Sequence, residues 1–204
     1  MIIKKMVVGP LQTNCYIIVD EKSGKGIIID PGYDASKIIK QVGLCNVDVI
    51  FIVLSHGHID HICALSEIKR ATNAKVAIHR KDAPLLEETK LGVYLGIECT
   101  PIPRPDIYLE GGEEFKLGKL IFRIIHTAGH TPGGICLEGE GACFTGDTLF
   151  RYGIGRSDLP GGNSVSLINN IRQRLLTLPD QIKVYPGHGP ETTIEAERRG
   201  NPFI

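Results

Sequence analysis

The sequence has no tryptophan, only two methionines and no excess of either charge, with 23 lysines and arginines against 23 aspartates and glutamates. Zero net charge removes the electrostatic footprint of a duplex-binding protein, so no nucleic-acid partner is expected. No run approaches the roughly 20 apolar residues that a membrane helix needs, and the apolar stretch within Met1 to Val8 is too short for a secretory signal. A cytoplasmic protein without a membrane partner is therefore expected. Six cysteines are present (Cys15, Cys45, Cys63, Cys99, Cys136 and Cys143), but no C-x-x-C pair. Most of them stand among apolar neighbours, as small buried hydrophobes do, so free thiols are expected rather than disulfides.

What is present suits one core. With 42% hydrophobic residues, a chain of 204 is long enough for one well-buried interior and short for two, so a single domain spanning 1–204 is expected. Short apolar runs separated by turn signals read as strands: Tyr16 to Val19, Ile27 to Ile29, Val47 to Leu54, Val76 to Ile78, Leu120 to Ile125, Ala142 to Phe144 and Ile182 to Tyr185. A helix is expected from Asp34, as capping residue, to Val42, stopping at Gly43. A second follows Asn163, with Ile168, Ile171, Leu175 and Leu178 as its apolar stripe. The early strands come as a hairpin-like series and later ones alternate with helices, which predicts an α/β fold with a mixed sheet. The segment from Lys81 to Pro105 is the least regular and reads as a surface excursion.

Four of the expected strands end alike. Val47 to Leu54 runs into Ser55-His56-Gly57-His58-Ile59-Asp60-His61, and Leu120 to Ile125 into Thr127-Ala128-Gly129-His130-Thr131-Pro132-Gly133-Gly134. Ala142 to Phe144 runs into Thr145-Gly146-Asp147-Thr148, and Ile182 to Tyr185 into Pro186-Gly187-His188-Gly189-Pro190. Neighbouring strand ends on one sheet edge lie close together, so these side chains can converge, and glycine beside each permits tight turns. In an extended backbone His56 and His58 face the same side and can hold one cation with His130. Asp60 and His61, where the chain turns into a helix, can hold a second with His188, and Asp147 is left to bridge. Imidazole and carboxylate without thiolate suit zinc, manganese or iron. The set uses five of the seven histidines. The remaining two, His79 and His126, lack the glycine context and read as structural. Asp30, in Ile29-Asp30-Pro31-Gly32, reads as a residue that orients a ligand. Arg156 and Asp158 read as a pair shaping the loop after Asp147, and Cys63 as packing.

These motifs resemble the metallo-β-lactamase superfamily, and within it the glyoxalase II-like branch of hydroxyacylglutathione hydrolases. The resemblance runs from Gly9-Pro10-Leu11-Gln12-Thr13-Asn14-Cys15-Tyr16 to Asn201-Pro202-Phe203. It implies an αββα sandwich of two mixed β-sheets flanked by helices, and two divalent metal ions per chain, zinc foremost, held by His56, His58, Asp60, His61, His130, Asp147 and His188. Asp60 and Asp147 are the residues expected to act in catalysis as well. The implied reaction is hydrolysis of a small-molecule thioester by a metal-bridging hydroxide. The alternative is a mononuclear iron persulfide dioxygenase, which resembles this branch closely. Glyoxalase II carries a helical C-terminal extension that holds glutathione, whereas this sequence stops shortly after His188, so its thiol carrier is not expected to be bound in that way. Thiol-ligated β-lactamases place a cysteine where Asp147 stands, so antibiotic hydrolysis is not expected.

Overall fold

The computed structural model describes residues 1–87, 99 and 101–204. Its first sheet begins as an antiparallel meander of β1 (Ile2–Val8), β2 (Thr13–Asp20) and β3 (Lys25–Ile29). It continues in parallel through β4 (Asp48–Val53), β5 (Lys75–His79) and β6 (Ile107–Leu109), in sequential order. The second sheet contains β7 (Glu114–Leu117), β8 (Leu120–His126), β9 (Ile135–Gly139), β10 (Ala142–Gly146), β13 (Lys183–Pro186) and β14 (Thr192–Thr193). It is antiparallel from β7 to β10, parallel between β10 and β13, and antiparallel again at its β14 edge. A two-stranded ribbon, β11 (Leu149–Phe150) with β12 (Gly153–Ile154), follows the Asp147 turn. Both sheets are mixed, as expected. The later strands do not simply alternate with helices, however, because β7 to β10 form a meander of their own.

Alternating side chains build three cores. Tyr16, Ile18, Ile27, Ile29 and Val53 point from the first sheet toward Phe122, Ile124, Leu137 and Phe144 of the second, closing the interior of the sandwich. The opposite face of the first sheet, with Ile17, Val19, Ile28, Ile52 and Val76, is covered by Ile38 of α1 (Ala35–Leu44) and by Leu65 and Ile68 of α3 (Leu65–Thr72). The outer face of the second sheet, with Cys136, Cys143 and Val184, lies under α4 (Ser164–Asn170), the π-helical turn Ile171–Leu175 that continues it, and Ile194 of α5 (Ile194–Gly200). All eight residues of β2 are buried because helices cover one side and the partner sheet the other. The result is the αββα sandwich.

Several local readings need correction. Asp34 does not cap α1 with its side chain. It adopts a left-handed backbone (φ 53°) and accepts a hydrogen bond from the Gly9 N–H (3.1 Å) instead, and the helix runs through Gly43 to Leu44. The stripe on α4 starts from Leu167 rather than Ile168, since Leu167 is fully buried and Ile168 only partly. The excursion at 81–105 falls partly outside the described residues, and its start is not superficial: Asp82 and Leu86 are buried. Among the described residues, no helix is long and apolar enough to cross a membrane.

The expectation of free thiols fails for one pair. Cys63 and Cys99 form a disulfide across 36 residues of sequence, with Cα atoms 5.0 Å apart. Cys63 lies in the core on the outer face of the first sheet and Cys99 packs against that core, and only the folded chain brings them together. Non-reducing peptide mapping is expected to recover Cys63 and Cys99 in one linked peptide. Constraining a loop of this length in the unfolded state is worth about 3 to 4 kcal/mol. Cys63→Ser should lower the urea-unfolding free energy by that order, and equal stability of the parent with and without reductant would refute the assignment.

Candidate metal centre

The ends of β3, β4, β8, β10 and β13 meet at one end of the sandwich. The expected single sheet edge is thus replaced by two: β4 belongs to the first sheet, and β8, β10 and β13 to the second. After β4 the chain passes His56 and His58 in extended form and enters the short helix α2 (Ile59–Ile62), which carries Asp60 and His61. Three groups result, with the ligand atoms of each within 4.8 Å of one another: His56, His58 and His130 form one cluster, Asp60, His61 and His188 a second, and Asp30 with His56 and His61 a fully buried third that joins the two. Asp147 stands between the first two. Its Oδ1 lies 3.4 Å from His61 Nε2, and its Oδ2 lies 3.7 Å from His130 Nε2 and 3.5 Å from His188 Nε2. All seven residues singled out from the sequence are therefore gathered here.

Outer partners aim the rings. His61 Nδ1 faces Asp30 Oδ2 (2.9 Å), His130 Nδ1 the Arg156 carbonyl (2.7 Å) and His188 Nδ1 the Leu11 carbonyl (3.1 Å). Each acceptor fixes the proton on Nδ1 and leaves Nε2 directed inward. Asp30 is itself buried and also accepts from the backbone N–H and hydroxyl of Ser55 (2.7 and 2.6 Å), while Ser55 Oγ contacts His56 Nδ1 (3.0 Å). One carboxylate thus orients ligands of both clusters, the role read for it in the sequence. Thr13 Oγ1 donates to Asp60 Oδ2 (3.1 Å). The turn carrying His188 is strapped by Asn14 and Tyr16, whose side chains both donate to the Pro186 carbonyl (2.8 and 2.7 Å). Gly187 has to be glycine because a Cβ there would stand 2.2 Å from Asp147 Oδ1. Thr13 and Ser55 were not singled out from the sequence, although both lie within or beside its motifs.

The inward atoms suit cations. His130 Nε2 and His58 Nδ1 are 2.9 Å apart, and His61 Nε2 and His188 Nε2 3.3 Å apart. Nitrogen lone pairs facing each other this closely repel unless a proton or a metal ion lies between them. His56 Nε2 and Asp147 Oδ1 are buried and have no hydrogen-bond partner among the described residues. Orphaned atoms of this kind at the focus of a nitrogen and oxygen donor set are what a bound divalent ion satisfies.

A model of the metallo-beta-lactamase superfamily matches residues 8–188. The chain belongs to that superfamily. The hydroxyacylglutathione hydrolase GloC of Haemophilus influenzae is 36% identical over 100% of this chain and 98% of its own length. Among solved structures, the BLEG-1 B3 metallo-beta-lactamase superposes with a TM-score of 0.92 at 33% identity, covering 99% of both chains. TTHA1623 in a di-iron-bound form gives 0.90 at 34% identity, covering 98% of this chain and 100% of its own. ETHE1 from Myxococcus xanthus gives 0.84 at 29% identity, covering 99% and 84%. Members of the superfamily bind metal ions, and the two clusters are the corresponding feature of this chain. Likeness to a protein named as a B3 lactamase means that a missing thiolate alone does not set antibiotic hydrolysis aside.

The residues judged peripheral stay so. His79 and His126 stack on each other (centroids 4.0 Å apart) and face the carbonyls of Glu110 and Pro132. Arg156 and Asp158 form an exposed ion pair, and only the Arg156 carbonyl reaches the centre.

Protonation differs between the clusters. Burial and the neighbouring His130 and His61 pull His58 down to about 4, and burial and the surrounding histidines push His56 well below its ordinary value. These rings are neutral and ready to ligate near pH 7. Burial also disfavours charge on His61, but Asp60, Asp147 and Asp30 outweigh it and hold the imidazolium up to about 10. In the metal-free chain this proton stabilises the fold fully below the unfolded value of about 6.5, and the contribution is lost as pH rises through about 10. Metal entering that cluster must displace the proton. Zinc affinity of the Asp60–His61–His188 cluster should therefore rise between pH 6.5 and 10, while the metal-free protein's melting temperature falls over the same range. Calorimetry at pH 7 in buffers of different ionisation enthalpy should detect net proton release, and its absence would contradict the assignment.

Proposed function

We propose that the chain is a metal-dependent hydrolase acting on thioesters. His56, His58 and His130 would hold one divalent ion and Asp60, His61 and His188 a second, with Asp147 standing within reach of both clusters. The observation that carries this reading is the completeness of the second cluster and its junction with the first at Asp147. A one-ion centre needs only the three histidines. Likeness to a di-iron structure and to a hydroxyacylglutathione hydrolase supports the same reading. When bound, such ions would supply Lewis acidity for the carbonyl oxygen and bring the pKa of a coordinated water toward neutrality.

The chain's own residues do the rest. His61, His130 and His188 are locked in one tautomer by Asp30, the Arg156 carbonyl and the Leu11 carbonyl, so the donor set is pre-organised. Burial disfavours charge on Asp60, but His61 and His188 outweigh it and hold its carboxyl well below the ordinary carboxylate range. With Oδ2 within 3.3 Å of His188 Nε2 and accepting from Thr13 Oγ1, it stays ionised and available as a ligand. A thiol of pKa about 8.5 departs as thiolate without obligatory protonation, so no dedicated general acid is required. Zinc fits the donor set, as do iron and manganese.

The second reading is a persulfide dioxygenase using one iron, and the likeness to the structure named ETHE1 keeps it in play. Metal content of protein purified without chelator separates the two, measured alongside thioester cleavage, oxygen uptake with glutathione persulfide, and β-lactam cleavage. The hydrolase should contain close to two metals, cleave thioesters and consume no oxygen. His188→Ala should lose the second metal and most of the rate. Asp147→Asn should lower turnover at least about a hundredfold with the fold retained, because one shared charge holds the pair together. One iron per chain with rapid oxygen uptake and negligible thioester cleavage would overturn the proposal, and so would turnover confined to β-lactams.

A further inference from the structure

Asp82 lies at the turn between β5 and the 3₁₀ helix Ala83–Glu87, outside every motif of the metal centre, and its side chain is fully buried. Its Oδ2 accepts hydrogen bonds from the Gly57 N–H (3.1 Å) and the Thr131 hydroxyl (2.6 Å), and its Oδ1 accepts from the Gly133 N–H (2.6 Å). Gly57 is the residue between His56 and His58, and Thr131 and Gly133 belong to the turn that leaves His130. Both glycines lie hard against residue 82. A Cβ on Gly133 would come within 2.6 Å of Asp82 Oδ1, and one on Gly57 within 2.9 Å of the Asp82 carbonyl oxygen.

We propose that Asp82 is the positioning residue of the three-histidine cluster, one buried carboxylate that ties the His56–His58 segment of the first sheet to the His130 turn of the second. Asp30 serves the centre by bonding to a ligand ring. Asp82 touches no ligand side chain, so it acts through the backbone, fixing the separation of two loops that different sheets deliver. The geometry calls for a carboxylate. Three donors converge on its two oxygens, and an amide in the same place would turn an NH₂ group against either the Gly57 or the Gly133 N–H. Buried carboxylates that accept backbone N–H bonds hold those groups more firmly than neutral acceptors do. The role concerns the metal centre and stands whichever substrate the enzyme takes.

The test compares Asp82→Asn and Thr131→Val with Glu197→Gln. Glu197 is also a buried carboxylate with three donors, from Thr192, Tyr152 and Asn201, but none of them lies in the His56–His58 segment or the His130 turn. Zinc affinity is read by competition with a chromophoric chelator, the geometry of the centre from the visible spectrum of the cobalt(II) protein, and stability by thermal melting. Asp82→Asn should weaken zinc binding about 10–100-fold and alter the cobalt spectrum. Thr131→Val, which removes one of the three bonds, should weaken zinc binding several-fold. Glu197→Gln should melt earlier yet keep the parent's affinity and spectrum. Parent-like affinity and spectrum in a folded Asp82→Asn protein would overturn the proposal, as would an equal loss of affinity in Glu197→Gln. If Asp82→Asn does not fold, Thr131→Val decides, and parent-like zinc binding there would overturn it.

Discussion

Five imidazoles and two carboxylates converge with their lone pairs toward a common centre, and this electrostatic demand governs the surrounding structure. The His58 and His130 nitrogens 2.9 Å apart in one cluster, and the unpartnered Asp147 Oδ1 3.4 Å from His61 Nε2 in the other, form an arrangement that relaxes outward unless it is held. Protonation of His61 relieves part of the strain in the metal-free chain, and a bound cation relieves the rest. The sandwich resists the remainder. His56, His58, His130, Asp147 and His188 sit within a few residues of the ends of buried strands, and Asp60 and His61 on the helix that follows β4, so displacing one would disturb the sheet behind it.

A framework of buried acceptors passes that rigidity to the rings. Asp30 reaches His61 directly and His56 through Ser55, while main-chain carbonyls at Leu11 and Arg156 set His188 and His130. The helix side contributes as well. Asn170 of α4 donates to the Ala128 carbonyl (2.8 Å), and Gly129, at φ 145°, lets the His130 turn lie against Leu167, where a side chain would meet its backbone at 2.4 Å.

The same scaffold serves proteins with different names, among them a hydroxyacylglutathione hydrolase, a B3 metallo-beta-lactamase and ETHE1. Fold and donor set therefore mark a metal-binding site more readily than a reaction or a substrate. Within that range, a complete second cluster is the feature of this chain that favours hydrolysis.

From the sequence alone an α/β fold with a mixed sheet could be read, and the sandwich came from the family resemblance. The seven residues now gathered at the centre were singled out because five of them follow apolar strands beside a turn glycine and Asp60 and His61 follow in the same motif, all local signals. The sequence also pointed to Asp30, through its own strand-end turn. What local pattern cannot carry is partnership across the chain. The meeting of Cys63 with Cys99 spans 36 residues of sequence, and the burial of Asp82 needs two sheets to bring Gly57 and Gly133 to the same carboxylate. Asp34 shows the converse: a good capping residue by propensity bonds instead to Gly9, which lies distant in sequence but adjacent in the fold. Strand periodicity and turn chemistry act over a few residues and survive in the sequence. Hydrogen bonds between loops of different sheets are decided only when the sheets stack, because the donors and acceptors that form them have no fixed distance until then.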